Sequence, residues 1–376
     1  MKVLLAATSS MVGGVKSYID GLKKGLEHKK YEARIVFPPE VTNLTKLMIG
    51  IKVVGNRDRG RKELNMWVQE KLYERIKSLI NEVDIFHAQD ALTVGCLIEN
   101  YLNVPIVLTV HGPISREAEM LGKGSPEYLK YLKEQEREAY ERASVIIAVD
   151  TVQKQIMCDD FGIKPEKIKV IYNGVDASFF VPSDDFKVSE TNPYFLVPRR
   201  LVPKNGVQTA IEAMNYIKPN IRLWIAGDGP ERERLKKLAF ELGIKDRVRF
   251  LGWVDKKKMV QLMNQASGII VPSIPVNGVI EASSIAALEG MSVGKPVIAS
   301  KIGGLREIIK DKETGFLFEA GNAKELAEIM EYIVHNPDTV KKIGENARNH
   351  VMENHSIDIW LEKVLEVYEI AVGKNK

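Results

Sequence analysis

Cysteine is almost missing from this chain: its 376 residues include two, Cys96 and Cys158. Neither has zinc-ligand neighbours, and the low count fits a reducing compartment. No apolar run approaches the ~20 residues of a membrane span. The opening MKVLLAATSS meets Gly13-Gly14 too soon to be a signal peptide, so a cytoplasmic location is expected. No D-x-D, H-E-x-x-H or clustered Cys/His motif occurs, and no required metal is expected. Charge of one sign is also lacking. A net charge of +4 is too mild to argue for nucleic acid, and no such partner is expected. Low-complexity segments are absent.

What remains is an ordinary globular composition, 45% hydrophobic and 28% charged, which excludes disorder. At roughly 150 residues per domain the length suggests two domains, each with its own core. Basic residues gather at Lys46, Lys52, Arg57, Arg59, Arg61, Lys62, Lys71, Arg75 and Lys77.

Short apolar runs alternate with stretches of helical period. Strands are expected at 3–7, 34–37, 84–87, 105–111, 145–149 and 168–172, with helices between them at 15–26, 66–80 and 127–142. The pattern restarts with strands at 194–197, 223–226, 248–251, 268–271 and 296–299, and helices at 207–217, 231–242 and 282–291. Short Val- and Ile-rich runs between helices read as buried parallel strands of βαβ units. The polar stretch 180–192 separates the two sets. From 323 onward two or three helices are expected, the last near 357–371. The fold class is therefore α/β: two doubly wound domains, with ligands expected at the carboxyl ends of the strands and in a cleft between them.

Three segments could carry chemistry. Gly13-Gly14 follows the first strand and opens a helix, where backbone amides can approach an anion. A plain tight turn is the alternative. A dinucleotide fingerprint is excluded by the spacing. Ala226-Gly227-Asp228-Gly229-Pro230 is a second strand-to-helix turn, most simply structural. Third, Glu281 and Glu289 lie eight apart at the expected start of the 282–291 helix. At ~1.5 Å per residue they would be about 12 Å apart along its axis. The amides of Ser283, Ser284 and Ile285 would face an anion between them. By spacing alone, two solvated helix glutamates explain the pattern at least as well. Of the six histidines, His28, His335, His350 and His355 read as surface and His87 as structural. His111 ends a strand at the ligand edge.

The third segment resembles the E-x7-E motif of the retaining, GT-B-fold glycosyltransferase family 4, the group related to glycogen and sucrose synthases. Pro272-Ser273 before it and Gly294-Lys295-Pro296-Val297-Ile298-Ala299-Ser300 behind it match as well. So do Val170 to Asp176, Arg200-Leu201-Val202-Pro203, Ala226 to Pro230, Arg249 to Val254 and Thr109-Val110-His111-Gly112. The resemblance runs the length of the chain and is strongest from Asn173 to Phe318.

The resemblance implies two Rossmann-like domains facing across a cleft, at 1–183 (acceptor side) and 184–355 (nucleotide-sugar side). A helix at 356–376 would pack back on the first. It implies a metal-independent hexosyltransferase, with no cofactor beyond a UDP-, GDP- or ADP-sugar donor and a sugar, glycan or lipid-linked acceptor. Glu289 would bind the ribose hydroxyls. Glu281 would contact the transferred sugar near its anomeric centre. Arg200 would neutralise the diphosphate, with Gly13 and Gly14 approaching it. His111 would lie against the sugar. Gly252 to Val254 would frame the base. The family's phosphate-binding lysine falls on Asn205, with Lys204 beside it as a candidate substitute. The glycine often preceding Arg200 is Arg199. Its G-F-G after the first glutamate is Ala282-Ser283-Ser284, and its H-x-H is His87-Ala88-Gln89, which weakens a role for that pair.

Breaking a sugar–phosphate bond leaves positive charge on the sugar and negative charge on the diphosphate. Arg200 and helix-end amides can meet the latter. Retention follows from the resemblance, by same-face attack with the leaving phosphate taking the acceptor's proton. Domain closure would exclude water. Residues 43–62 mix apolar and basic residues. They read either as a surface loop drawn to an anionic lipid leaflet or a phosphorylated acceptor, or as a solvated face plus a core-packing stretch. Two other classes stay open: a GT-B-fold sugar-nucleotide epimerase, and a non-catalytic nucleotide-sugar binder.

Overall fold

The computed structural model describes residues 1–8, 14–52, 57–97, 104–183 and 193–373, and the side chains of these except 50–52. Gly13 and residues 184–192 of the expected separator 180–192 lie outside them.

The chain divides into two compact units. One is Met1–Tyr172 with Trp360–Lys376, the other Asn173–Ile359. Among the described residues the first contains β1 (Lys2–Ala6), β2 (Glu32–Val36), β3 (Ile85–Ala88), β4 (Ile106–Val110), β5 (Val145–Ala148) and β6 (Ile168–Val170). They form one sheet in the order β2-β1-β3-β4-β5-β6, every pairing parallel. The second unit contains β7 (Tyr194–Val197), β8 (Arg222–Ala226), β9 (Val248–Gly252), β10 (Gly268–Val271), β11 (Val297–Ser300) and β12 (Phe316–Phe318). Its order is β12-β11-β10-β7-β8-β9, again parallel.

Strands covered by helices on both faces must be apolar throughout. Residues of β3, β5, β7, β10 and β11 are buried without exception. Each sheet has its own core. Leu4, Phe86, Leu108 and Ile146 anchor the first, and Phe195, Ile225, Ile270 and Ile298 the second. Helix starts follow ordinary capping chemistry. Asp90, Ser125, Asp150 and Asp255 each accept a backbone N–H from the first turn of the following helix.

In each sheet the winding direction reverses once, between β1 and β3 in the first and between β7 and β10 in the second. Such switch points are where doubly wound sheets bind ligands, beyond the strands' carboxyl ends.

All eleven expected strands are present, several at the expected bounds. β12, only three residues long, was not expected. The 43–62 stretch is not a loop where described. Asn43–Lys52 is a helix and a second helix, Arg57–Ile76, begins well before the expected 66. His355 is not a surface residue: it is 5% exposed, and its carbonyl accepts from Val175 N at 2.9 Å. Ile357 N in turn donates to Val175 O at 3.0 Å, so the two chain crossings are tied together within the second unit. After them the last helix, Ile357–Ala371, joins the first unit from Trp360 onward. Trp360 meets the Tyr18 ring edge-on, and Tyr368 Oη lies 2.7 Å from His87 Nδ1.

Candidate functional site

In the second unit the switch point is lined by the residues after β7, Pro198-Arg199-Arg200, and after β10, Pro272-Ser273. Helix Ile285–Ser292 follows the β10 loop, with Ser284 as its N-cap. The helix starts three residues later than the sequence pattern suggests. Glu281 therefore sits in extended chain ahead of it, and the ~1.5 Å rise that spaced the two glutamates does not apply to it. Glu289, in contrast, is a helix residue.

Arg199 is the centre of this region. It is 9% exposed. Its Nη2 lies 2.8 Å from Glu281 Oε1, 2.5 Å from Asn205 Oδ1 and 3.2 Å from Ser273 Oγ. Its Nη1 donates to Ser284 Oγ at 3.0 Å. Glu281 is 8% exposed, so this is a buried ion pair with further hydrogen bonds around it. Asn205 is buried and donates from Nδ2 to Arg200 O at 2.7 Å. Its amide braces the turn and the guanidinium together.

Two glycines make these approaches sterically open. Gly206 has φ +59°, and a Cβ there would run into the Pro272 carbonyl. Gly303 has φ +47°, and a Cβ there would strike the Glu281 carbonyl, which accepts from Gly304 N at 3.1 Å. Only glycine takes such conformations at so little cost. They let the Asn205 turn close on the β10 loop and fix the backbone of Glu281.

The remaining expected residues of this unit lie as follows. Arg200 is exposed and Lys204 partly buried, in a turn whose carbonyl accepts from Ile274 N. Ser283 is buried, its Oγ accepting from Asn173 N at 3.0 Å, so its side chain holds the chain crossing. The Ser284 hydroxyl makes no cap bond to its own helix, being engaged with Arg199. Ile285 is the first helical residue, so its amide heads an end that the Ser284 side chain does not cap. Glu289 is partly buried, and burial pushes its carboxyl up to about 7. Gly252 closes β9 with φ +72° and accepts from Gly227 N, while Val254 is partly buried in the next loop.

In the first unit the strand ends carry another constellation. Thr8 donates from N and Oγ1 to the Asp90 carboxylate, at 2.9 and 2.8 Å, which joins the ends of β1 and β3. Gly14 is exposed and begins helix Gly14–His28. His111 directly follows β4. Its Nε2 lies 3.1 Å from Gln89 Oε1, and its ring stands edge-on to Tyr18 at 4.9 Å. A carbonyl oxygen facing Nε2 calls for a proton on that nitrogen, leaving the lone pair on Nδ1. Burial pushes His111 down to about 4, so the ring is neutral near pH 7. His87 is fully buried between Tyr368 Oη and Thr109 Oγ1, at 2.7 and 2.8 Å. Gln89, whose place in the His87-Ala88-Gln89 departure from H-x-H weakened a role for it, is thus the partner of His111. Arg199, which the sequence marks only as out of place beside Arg200, is the buried hub of the second unit. Among the described residues no group of three His, Cys, Asp or Glu could hold a metal ion.

Comparison with known proteins agrees with this layout. Residues 12–179 match the family described as Glycosyltransferase Family 4, and 183–350 match Glycosyl transferases group 1. An uncharacterized glycosyltransferase of Methanocaldococcus jannaschii is 28% identical over 384 residues, covering 96% of this chain and 95% of that protein. Among solved structures, sucrose-phosphate synthase from Thermosynechococcus elongatus is similar with a TM-score of 0.81 at 19% identity, over 100% of both chains. Anabaena HepE in complex with UDP and glucose is similar with a TM-score of 0.74 at 21% identity, over 98% of this chain and 99% of that one. At such identities the structural likeness carries the fold: two Rossmann-like domains in succession, the GT-B class.

Proposed function

Because the chain belongs to the glycosyltransferases, its first half in family 4 and its second in group 1, we propose that it moves a sugar from a nucleoside diphosphate donor to a hydroxyl acceptor with retention at the anomeric carbon. The observation that carries this reading is the Arg199–Glu281 cluster at the amino end of helix Ile285–Ser292, at a sheet switch point. Buried positive charge and helix-end amides suit a diphosphate. A carboxylate beside them suits the sugar attached to it.

In this reading the second unit holds the donor. Glu289 accepts from the ribose hydroxyls, and the backbone of Gly252 to Val254 frames the base. Arg200 and Lys204 add positive charge toward the leaving diphosphate. The amides of Ser283, Ser284 and Ile285 do the same. As the glycosidic bond lengthens, the anomeric carbon gains positive charge, which the Glu281 carboxylate stabilises. The departing phosphate gains negative charge, which the cations and amides stabilise in place. The neutral His111 accepts from a sugar hydroxyl through Nδ1 while Gln89 holds its Nε2–H. The acceptor hydroxyl attacks from the leaving-group face and passes its proton to the departing phosphate. With cationic side chains meeting the diphosphate charge, the transfer proceeds without a divalent metal.

The test has two stages. Thermal-shift screening with UDP-, GDP- and ADP-sugars should single out one donor family, since a ligand stabilises only the state it binds. Incubation of that donor with candidate acceptors, followed by proton NMR of the product, should show transfer with the donor's anomeric configuration kept. Activity should persist in EDTA. Inversion, or conversion of the donor's sugar to an epimer without an acceptor, would replace this reading.

The acceptor is assigned to the first unit, where helix Asn43–Lys52 exposes Leu44, Leu47 and Met48 on one face, at 65, 60 and 57%. Lys46, Arg57 and Arg59 are exposed nearby in sequence. An apolar stripe with basic neighbours suits the surface of an anionic bilayer that presents a lipid-linked acceptor. No helix among the described residues is long and apolar enough to cross one. The chain should float with vesicles containing anionic lipid and be released by high salt. Leu47→Glu should abolish flotation without changing the melting temperature. Equal flotation of that variant would remove the membrane from the account.

A further inference from the structure

A buried polar chain in the first unit ends beside His111, and the proposed transfer makes no use of it. Alternate residues of a strand share one face of its sheet. His87 of β3 pairs with Val107 of β4, so His87 and Thr109 fall on the same face, and His111 follows two residues on. Tyr368 Oη lies 2.7 Å from His87 Nδ1, His87 Nε2 lies 2.8 Å from Thr109 Oγ1, and Thr109 Oγ1 lies 3.1 Å from Tyr18 Oη. All four side chains are buried, and they come from the last helix, β3, β4 and helix Gly14–His28. At the end of the chain the Tyr18 ring meets two others edge-on, Trp360 at 4.7 Å and His111 at 4.9 Å.

Apolar residues of the same shape would pack here at little loss of stability, because a core hydrogen bond replaces one made to water. What a connected polar chain adds is a single arrangement. Tyr18 is tied at its hydroxyl to Thr109 and braced at its ring by Trp360, so it has one place to stand. His111 is then fixed from two sides. Gln89 Oε1 holds its Nε2–H at 3.1 Å, and the Tyr18 ring limits rotation of the imidazole about that bond.

Resting on the sugar-facing role given to His111 above, we infer that Tyr18 is the positioning residue of His111, and that the last helix sets Tyr18 in place through Trp360 and Tyr368. Tyr18 keeps Nδ1 turned to the sugar and shields the ring from water. The titratable groups around His111 are Tyr18 on the first helix, His87 on β3 and Glu117 on helix Ile114–Met120, whose Oε1 is 3.6 Å from where a Gly112 Cβ would stand. Asp90, next to Gln89, is engaged with Thr8 and with the helix it caps. Burial pushes the Tyr18 hydroxyl up and the His87 imidazole down to about 3, so both are neutral near pH 7. His111 itself is held down to about 4 by burial, part of which Tyr18 supplies. Without the Tyr18 ring, water reaches the imidazole, and its pKa moves back toward the ordinary 6.5. The neutral form that the transfer needs is then lost at a higher pH.

The test is an NMR titration of the histidine ring nitrogens in isotope-labelled protein, with the His111 signal assigned from His111→Gln. The intact chain is compared with Tyr18→Phe, Tyr18→Leu and Tyr368→Phe, each first checked by thermal melting. Transfer from the donor chosen by the screen is then followed from pH 5 to 8. The intact chain should show one His111 tautomer, protonated on Nε2, down to about pH 4. In Tyr18→Leu the two tautomers should mix, and the pKa should rise by about one unit or more. There kcat/KM should fall about tenfold or more at pH 8, and its acid limb should move up by the same interval as the pKa. Tyr18→Phe keeps the ring and loses the tie, while Tyr368→Phe cuts the chain at its far end. Each should mix the tautomers and lower kcat/KM about threefold. Should Tyr18→Leu fail to fold, those two variants carry the test. An unchanged His111 signal in the folded variants overturns the inference alone, even where activity falls, since that loss is then structural. A His111 signal that changes while kcat/KM does not overturns the role given to His111 in the transfer, and the inference with it. An intact chain that transfers nothing overturns the proposed function, while the His111 signal still decides the positioning.

Discussion

Glu281→Gln is expected to lower kcat by about 10²- to 10³-fold while leaving the fold in place. The amide oxygen can still accept from Arg199, so the buried guanidinium keeps a partner. What disappears is the negative charge that, on the proposed reading, faces the anomeric carbon as the bond to phosphate breaks. Glu281→Ala is a different perturbation. It leaves Arg199, 9% exposed, without its counter-ion, and breaking such a pair costs roughly 3–5 kcal/mol of stability. The two variants should therefore separate, the glutamine inactive and folded, the alanine inactive and strongly destabilised in urea denaturation. A glutamine variant that turns over at the normal rate would remove Glu281 from the chemistry and leave it a structural ion pair.

Replacement of Glu289 by alanine is expected to weaken binding of the nucleotide donor by about 2–3 kcal/mol, roughly 30- to 150-fold, with little effect on kcat at saturation. Two ribose hydroxyls would lose a charged acceptor, and the reacting bond is not among the groups it touches. The same carboxyl predicts a pH dependence. In the empty site burial pushes it up to about 7, above the ordinary carboxylate value near 4.5. The protonated form is then the one the fold favours. Its contribution to stability is complete below about pH 4.5 and is lost as pH rises through 7. Ribose hydroxyls favour the carboxylate form, so donor binding must release a proton below pH 7. Affinity should fall by up to tenfold per unit as pH drops from 7 toward 5, and level off above 8. Calorimetry in buffers of different ionisation enthalpy counts that proton. Glu289→Gln should abolish both the slope and the release, and a slope that persists there belongs to another group.

Much of the architecture was legible because parallel strands buried on both faces leave continuous apolar runs, such as Tyr194–Val197 and Gly268–Val271. β12 was not, since three residues of Phe-Leu-Phe give no period to read. The start of the Ile285 helix was misplaced for a local reason. Ala282, Ser283 and Ser284 are all compatible with a first turn or a cap, and packing decides which. Ser283 is held by Asn173, and Ser284 by Arg199. The helix at 43–52 was missed because Leu44, Leu47 and Met48 face outward, so no buried stripe marks it, and the start at 57 because Leu64 is the one large apolar residue before Met66, while the buried Val68, Leu72 and Ile76 come later. His355 was misread for the opposite reason: a polar residue at a helix end is buried by a pairing with Val175, 180 positions away, that no local pattern announces.

The hub of the candidate site was the least legible part. Neighbouring residues on extended chain point to opposite sides. Arg199-Arg200 therefore offers one arginine to the interior and one to solvent, and the sequence does not say which. Only the fold shows that Arg199 turns inward to Ser273 and Ser284, both distant in sequence. Gln89 is similar. It carries no signal alone, and acquires one when β3 and β4 lie side by side and bring it to His111.

The account rests on a diphosphate lying against the amino end of the helix that carries Glu289. The most direct measurement is a crystal structure of the chain with the nucleoside diphosphate that gives the largest thermal shift. The distal phosphate should lie within about 3 Å of the Ser284 and Ile285 amides, with the ribose hydroxyls on Glu289. A nucleotide bound away from this helix end would contradict it.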